Sequence, residues 1–159
     1  MLERAQIRQL FIPAPDSRSM TADLAAAPPC IFCEIGAGRA PGHVVFENTD
    51  TIAFLDLFPY TRGHLLVVPK RHVDRLTDLR RDEYEGFLGS LAELCRRIDR
   101  LSSHYNVALN QGAFAGQVIF HLHFHVIPRY GPENPFLSHP RTRLSDADAK
   151  TVVAELSAP

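Results

Sequence analysis

The chain has 159 residues, a length that holds one hydrophobic core and disfavours a two-domain enzyme. Hydrophobic residues make up 45% and charged residues 22%, and a formal net charge of -1 gives no cationic excess, which disfavours bulk binding to nucleic acid. No run of about 18 or more apolar residues is present to span a bilayer, and the N-terminus lacks the apolar core of a secretion signal, so a cytoplasmic protein with no membrane partner is expected. Three cysteines are too few for a disulfide scaffold, and Cys30 and Cys33 read as reduced thiols or metal ligands. Eight histidines are the unusual count.

In chain order, residues 1–28 mix Ala, Pro, Ser and charges, and Pro13, Pro15, Pro28 and Pro29 break any regular element, as in a flexible arm. His43 to Glu47 and Thr51 to Leu55 are short β-rich runs joined by Asn48-Thr49-Asp50, which predicts a hairpin. Pro59 to Gly63 makes a turn, and His64 to Pro69 is an almost continuous apolar run that predicts a third strand buried on both faces. Between Asp82 and Leu101, Tyr84, Phe87, Leu88, Leu91, Leu94, Cys95, Ile98 and Leu101 fall at helical spacing and predict the one long helix. Cys95 lies on that stripe and reads as a small buried hydrophobe.

Tyr105 to Leu109 predicts a fourth strand, Asn110 to Gln117 a glycine-containing loop, and Val118 to Ile127 a fifth strand ending at Pro128. After the irregular Gly131 to Pro135, Ser145 is placed to N-cap a short helix through Val152, Val153 and Leu156. The order of elements predicts an α+β domain built on an antiparallel sheet of about five strands.

The most informative segment is His121-Leu122-His123-Phe124-His125-Val126-Ile127. On a strand, alternation sets the three imidazoles on one face and Leu122, Phe124 and Val126 on the other. Three groups that titrate near neutrality, crowded on one face, point to chemistry. A metal site made of all three lacks a further carboxylate or histidine at close spacing. The alternative is nucleophilic catalysis at phosphorus, in which a neutral imidazole attacks and its neighbours hold the non-bridging oxygens.

The run from Asn110 to Arg129, with Cys30-Ile31-Phe32-Cys33, Ala53-Phe54-Leu55-Asp56 and Gly63 to His72 upstream in the same order, resembles the signature blocks of the histidine triad (HIT) family. The resemblance covers Cys30 to Arg129 and implies a HIT-like fold over residues 29–130, with residues 131–159 as a tail. It implies that His123 is the nucleophile of a transient nucleotidyl-histidine and that His125 contacts the phosphate under attack. It further implies that Gln117 and Asn110 hold phosphate oxygens, that Asp56 bonds the ribose hydroxyls, and that His64 steers the triad. Family members form dimers, so a homodimer that takes a purine nucleotide or its conjugate is expected.

A lone C-x-x-C is ambiguous between metal and redox chemistry, but redox pairs open a helix after a strand, and Pro28-Pro29 speaks against that context. In the zinc-carrying branch that this chain resembles, His72 and His121 complete a Cys2His2 set with Cys30 and Cys33, and closure by four ligands makes the Zn2+ structural. The function implied is hydrolysis of a nucleoside phosphoramidate or dinucleoside polyphosphate at the α-phosphate. A phosphorylase, with phosphate in place of water, is an alternative favoured by Leu57-Phe58-Pro59-Tyr60 but not by the cysteine pair. A nucleotide-binding regulator with little turnover leaves the nucleophile without a purpose, and a metal-binding interaction module leaves His123, His125, Gln117 and Asn110 unexplained.

Overall fold

The computed structural model describes residues 29–134, 136 and 141–157, so the expected arm over residues 1–28 lies outside the described residues. Asn48 turns the first hairpin: its side-chain oxygen accepts the N–H groups of Asp50 at 3.0 Å and Thr51 at 2.8 Å. That turn joins β1 (Val44–Glu47) to β2 (Thr51–Leu55), and β3 (Leu65–Pro69) pairs antiparallel with β2 along its whole length. The turn before β3 depends on Gly63, which sits at φ +82°, where a Cβ would also collide with Leu101. With β4 (Tyr105–Leu109) and β5 (Phe124–Pro128), the strands form one antiparallel sheet in the order β1-β2-β3-β5-β4.

Among the described residues three α-helices accompany the sheet: α1 (Ile31–Gly36), α2 (Tyr84–Ile98) and α3 (Asp146–Ser157). The predicted long helix is α2, whose Phe87, Leu94 and Ile98 are buried, while Cys95 packs half-buried beside the same core. Ser145 caps α3 as expected, accepting the N–H of Asp148 at 3.1 Å and donating to its carboxylate at 2.6 Å. Ala149, Val152 and Leu156 of α3 join α2 over one face of the sheet, against Ala53, Leu65 and Val126. Each aliphatic side chain buried there contributes about 1.5–3 kcal/mol relative to exposure. No helix among the described residues is long and apolar enough to cross a membrane.

The opposite face carries a smaller cluster in which Phe32 of α1 packs on Ile52, Phe54, Leu66 and Val68. Six-residue α1 has no counterpart in the sequence reading, because so short a helix has no measurable periodicity. Contrary to the expectation from Pro28-Pro29, Cys30 is its N-cap residue, so the cysteine pair does open a helix. The sheet is thus covered thickly on its helical face and thinly on the other. The thin side holds the histidines.

The largest departure from a predicted extent is in the fifth strand. The fifth strand begins at Phe124, not Val118. Phe124 already lies opposite Leu109, the last residue of β4, and only Val68 and Pro69 of β3 extend past its other partner Val67, so residues 118–121 have no ladder to join. Val118 and Phe120 are exposed, and the chain turns sharply, with His121 N–H donating to Ile119 O at 2.9 Å and Leu122 N–H to Val73 O at 2.6 Å. The alternation nevertheless survives this departure. Leu122 and Val126 are fully buried in the helical core, Phe124 packs against it, and His121, His123 and His125 are buried beyond it.

Candidate active site and metal centre

Period-two alternation brings the site together. Phe54 and Leu66 face away from the helices; two residues beyond Phe54 lies Asp56, and two before Leu66 lies His64. His125 stands on β5 opposite Leu66 and Ala108, next to His64. The rings of His123 and His125 are 4.9 Å apart at 68°, and the Phe32 ring meets His123 edge-on at 5.1 Å.

Hydrogen-bond partners fix the tautomers. The backbone N–H of Tyr60 donates to His64 Nδ1 at 3.2 Å, so the His64 proton resides on Nε2. His64 Nε2 then donates to His125 Nδ1 at 2.9 Å, which puts the His125 proton on Nε2. That Nε2 is buried and has no partner among the described residues, a free donor directed into the site. His123 has the opposite arrangement: its Nδ1 donates to the carbonyl of His121 at 2.7 Å and leaves Nε2 with a lone pair.

Burial keeps these rings neutral. His64 is pushed down to about 2, by burial first and then by the charges of His125, Arg141 and His123. His125 falls to about 4 through burial, His123 and Arg141. His123 is lowered by burial as well, against the opposing hydrogen bond to His121 and the charge of Asp56. Burial raises the Asp56 carboxyl, while the Phe58 N–H on Oδ1, at 2.8 Å, and the Arg141 charge oppose the rise.

The expected oxygen-holding residues are arranged differently from one another. Gln117 is buried, and its amide is committed to backbone: Oε1 accepts Gly112 N–H at 2.7 Å, and Nε2 donates to Asp74 O at 3.2 Å and Ile119 O at 3.3 Å. It therefore frames the loop ahead of the triad, a role the sequence motif does not reveal. Asn110 is half-buried at the end of β4, at the start of the same loop. Gly112 and Gly116 flank a single turn of the loop at φ +89° and +88°.

Cys30, Cys33, His72 and His121 converge, with one ligand atom from each lying within 4.8 Å of all the others. His121 Nδ1 is 3.4 Å from Cys30 Sγ and 3.6 Å from Cys33 Sγ, and His72 Nδ1 is 3.3 Å from Cys33 Sγ. Tetrahedral zinc bonds to sulfur and nitrogen imply S···N separations of about 3.5 Å, which these three distances match. Both imidazoles are oriented for it: His121 Nε2 donates to Pro69 O at 2.8 Å, and His72 Nε2 lies 3.2 Å from Asp74 Oδ1, so each offers its Nδ1 lone pair. Burial, then the Cys30 thiol, push Cys33 up to about 11; ligation acts the other way, since it requires the thiolate.

Three participants are not among the expected site residues. Asp74 supports His72 with its carboxylate and Gln117 with its carbonyl. Tyr60 and Arg141 form the rim: the guanidinium carbon of Arg141 lies 4.6 Å from the Tyr60 ring centre, and Nη1 donates to Phe58 O at 3.2 Å. Only the contact itself could have identified Arg141, since the tail has no pattern to place it.

Comparison with known proteins agrees with this geometry. The HIT domain family matches residues 37–131. An uncharacterised HIT-like protein of Methanocaldococcus jannaschii is 38% identical over 75% of this chain and 93% of its own. A Schizosaccharomyces pombe protein named adenosine 5'-monophosphoramidase is 33% identical over 80% of this chain and 96% of its own. The crystal structure of a zinc-bound histidine triad family protein from Mycobacterium smegmatis superposes with a TM-score of 0.67 at 33% identity, covering 81% of this chain and 94% of that one.

Proposed function

We propose, from the premise that this chain belongs to the HIT domain family, that it transfers the nucleotidyl group of an adenylyl or similar conjugate first to His123 and then to water. The observation that carries this reading is the pair of opposite tautomers: a lone pair on His123 Nε2 beside a free donor on His125 Nε2. Holding a phosphate without reacting with it needs donors only. A nucleophile beside a donor is what displacement at phosphorus requires.

In the first step His123 Nε2 forms a bond to the α-phosphorus as the bond to the leaving group breaks, and the leaving group departs with the electron pair. His125 Nε2–H donates to a non-bridging oxygen. The His123 ring becomes cationic when nucleotidylated, and the His121 carbonyl that accepts from its Nδ1 stabilises that charge. Water then attacks the phosphorus and gives up a proton to solvent as the bond to His123 Nε2 breaks, the nucleoside monophosphate leaves, and His123 returns to its neutral form.

Asp56 offers Oδ2 to the ribose hydroxyls, since Oδ1 is engaged by Phe58. Asn110 lies at hand for a phosphate oxygen, Gln117 shapes the loop, and His64 is a positioning residue that acts through His125. Cys30, Cys33, His72 and His121 would hold Zn2+ as a structural cross-link, four protein ligands leaving no position for substrate. A homodimer in the cytoplasm completes the reading. The test is release of AMP from adenosine 5'-phosphoramidate and from a diadenosine polyphosphate, with and without phosphate. ADP appearing from the phosphoramidate in phosphate buffer would identify a phosphorylase instead, and no product from either substrate would overturn the reading.

A further inference from the structure

Arg141 lies beyond the residues matched by the HIT domain, in the stretch that leads into α3, yet it is pinned beside the site. Its segment is tied down independently: Leu144 N–H donates to Leu57 O at 2.8 Å, and Phe136 meets the Tyr60 ring edge-on at 5.1 Å. The guanidinium lies over the Tyr60 ring and donates from Nη1 to Phe58 O, which directs it, and among the described residues its other N–H donors have no hydrogen-bond partner. Among the described residues it has no carboxylate ion-pair partner. Its charge acts on Asp56, His64 and His125, the groups around the ribose and phosphate positions of the proposed site. The buried, unpartnered donor on His125 Nε2 marks where the phosphate under attack lies, so the charge of Arg141 acts beside that phosphate.

We propose that Arg141 and His125 border an anion-binding subsite for the group that leaves the α-phosphate, so that nucleotide phosphoanhydrides are favoured over phosphoramidates. The proposal rests on the nucleotidyl-transfer reading. When His123 Nε2 bonds to the α-phosphorus of an anhydride, the bridging oxygen keeps the electron pair of the broken bond and departs on the next phosphate, which gains one negative charge. A fixed guanidinium stabilises that developing charge and recognises phosphate oxygens in pairs. An amine leaving group presents no such oxygens, so Arg141 offers it nothing equivalent.

The experiment compares wild-type protein with Arg141→Ala and Arg141→Lys on diadenosine tetraphosphate and adenosine 5'-phosphoramidate, which share the adenylyl half. Arg141→Ala is expected to lower the kcat/KM ratio, anhydride over phosphoramidate, by about tenfold or more. Arg141→Lys should recover only part of the ratio, because a point charge lacks the planar fork. An unchanged ratio would overturn the proposal, whether both activities persist or fall together. A binding arm separates this failure from failure of the enzymatic reading. The wild type should bind α,β-methylene-ADP more tightly than AMP, and Arg141→Ala should erase the difference. If turnover is absent but that difference depends on Arg141, the hydrolase reading fails and the subsite stands; if the difference does not depend on Arg141, the subsite fails whatever the turnover.

Discussion

His64 Nε2 and His125 Nδ1 face each other at 2.9 Å in the buried layer beneath the site, and the Tyr60 backbone decides which of them holds the proton. A main-chain amide cannot change its protonation, so the donor aimed at the substrate is set two hydrogen bonds away by an invariant group. His64→Phe removes the link and frees His125 to take either tautomer. Expected is a fall in kcat of about tenfold with a small change in KM, while His64→Asn, which can still donate, retains more activity. Equal losses in both variants would mean that bulk, not proton placement, is what His64 contributes.

The same rings predict an acid limit on stability. In the folded state His64 and His125 bind protons only far below the ordinary imidazole range, to about 2 and about 4, while the unfolded chain takes them up near pH 6.5. Their contribution is complete above that value and is lost as pH falls through about 6.5 toward 4, on the order of 1 kcal/mol per pH unit for each ring. Thermal melts of the wild type from pH 8 to pH 4 should fall accordingly, and His64→Asn should flatten the fall. A wild-type melting temperature independent of pH over that range contradicts the assignment.

Purified protein should carry about one zinc per chain. Cys33→Ala should lose it together with thermal stability, because α1 is held to β3 and to the triad segment through these ligands. Asp74→Ala should weaken zinc binding by about 10- to 100-fold in a chelator competition, since it orients His72 from the outer side. Metal-free wild type with an unchanged melting temperature would remove zinc from the protein.

Asp56→Ala should weaken nucleotide binding by roughly 1–3 kcal/mol through lost ribose hydrogen bonds. Calorimetry with ribose and 2′,3′-dideoxyribose ligands checks this on the wild type; equal affinities would take Asp56 out of the pocket.

His123→Asn should abolish turnover yet keep nucleotide binding, since Leu122 and Phe124 still pack in the helical core. His125→Asn should leave a residue of activity, about 10²- to 10³-fold reduced. Two successive in-line displacements give net retention at phosphorus. A chiral phosphorothioate substrate returned with inversion would exclude His123 as the nucleophile.

Much of this site was legible before the fold was known, and the reasons are local. Alternation along residues 121–126 separated imidazoles from core residues correctly even where the backbone is not strand, because the contrast between Leu122 and its neighbours is one of polarity, not of ladder bonding. Val118 to Phe120 misled for the converse reason: β-rich residues form a strand only beside a partner, and β4 ends at Leu109. Gln117 was expected to hold a phosphate oxygen, whereas its amide bonds to Gly112, Asp74 and Ile119, a framing that depends on where the chain places Asp74. Arg141 was invisible because a cation over an aromatic ring leaves no spacing signal when 81 residues separate the two.

Helix α3 changes what a minimal version of this protein would be. Its Ala149, Val152 and Leu156 lie in the same core as α2 and the central strands, so a fragment cut where the family match stops, at residue 131, would open a trough beneath β1 and β3. Arg141 precedes that anchored helix in the chain and is tied to Phe58 and Tyr60 outside the core. On the role proposed for Arg141, a substitution at that one position would retune leaving-group preference while neither the shared core nor the reactive imidazoles have to change.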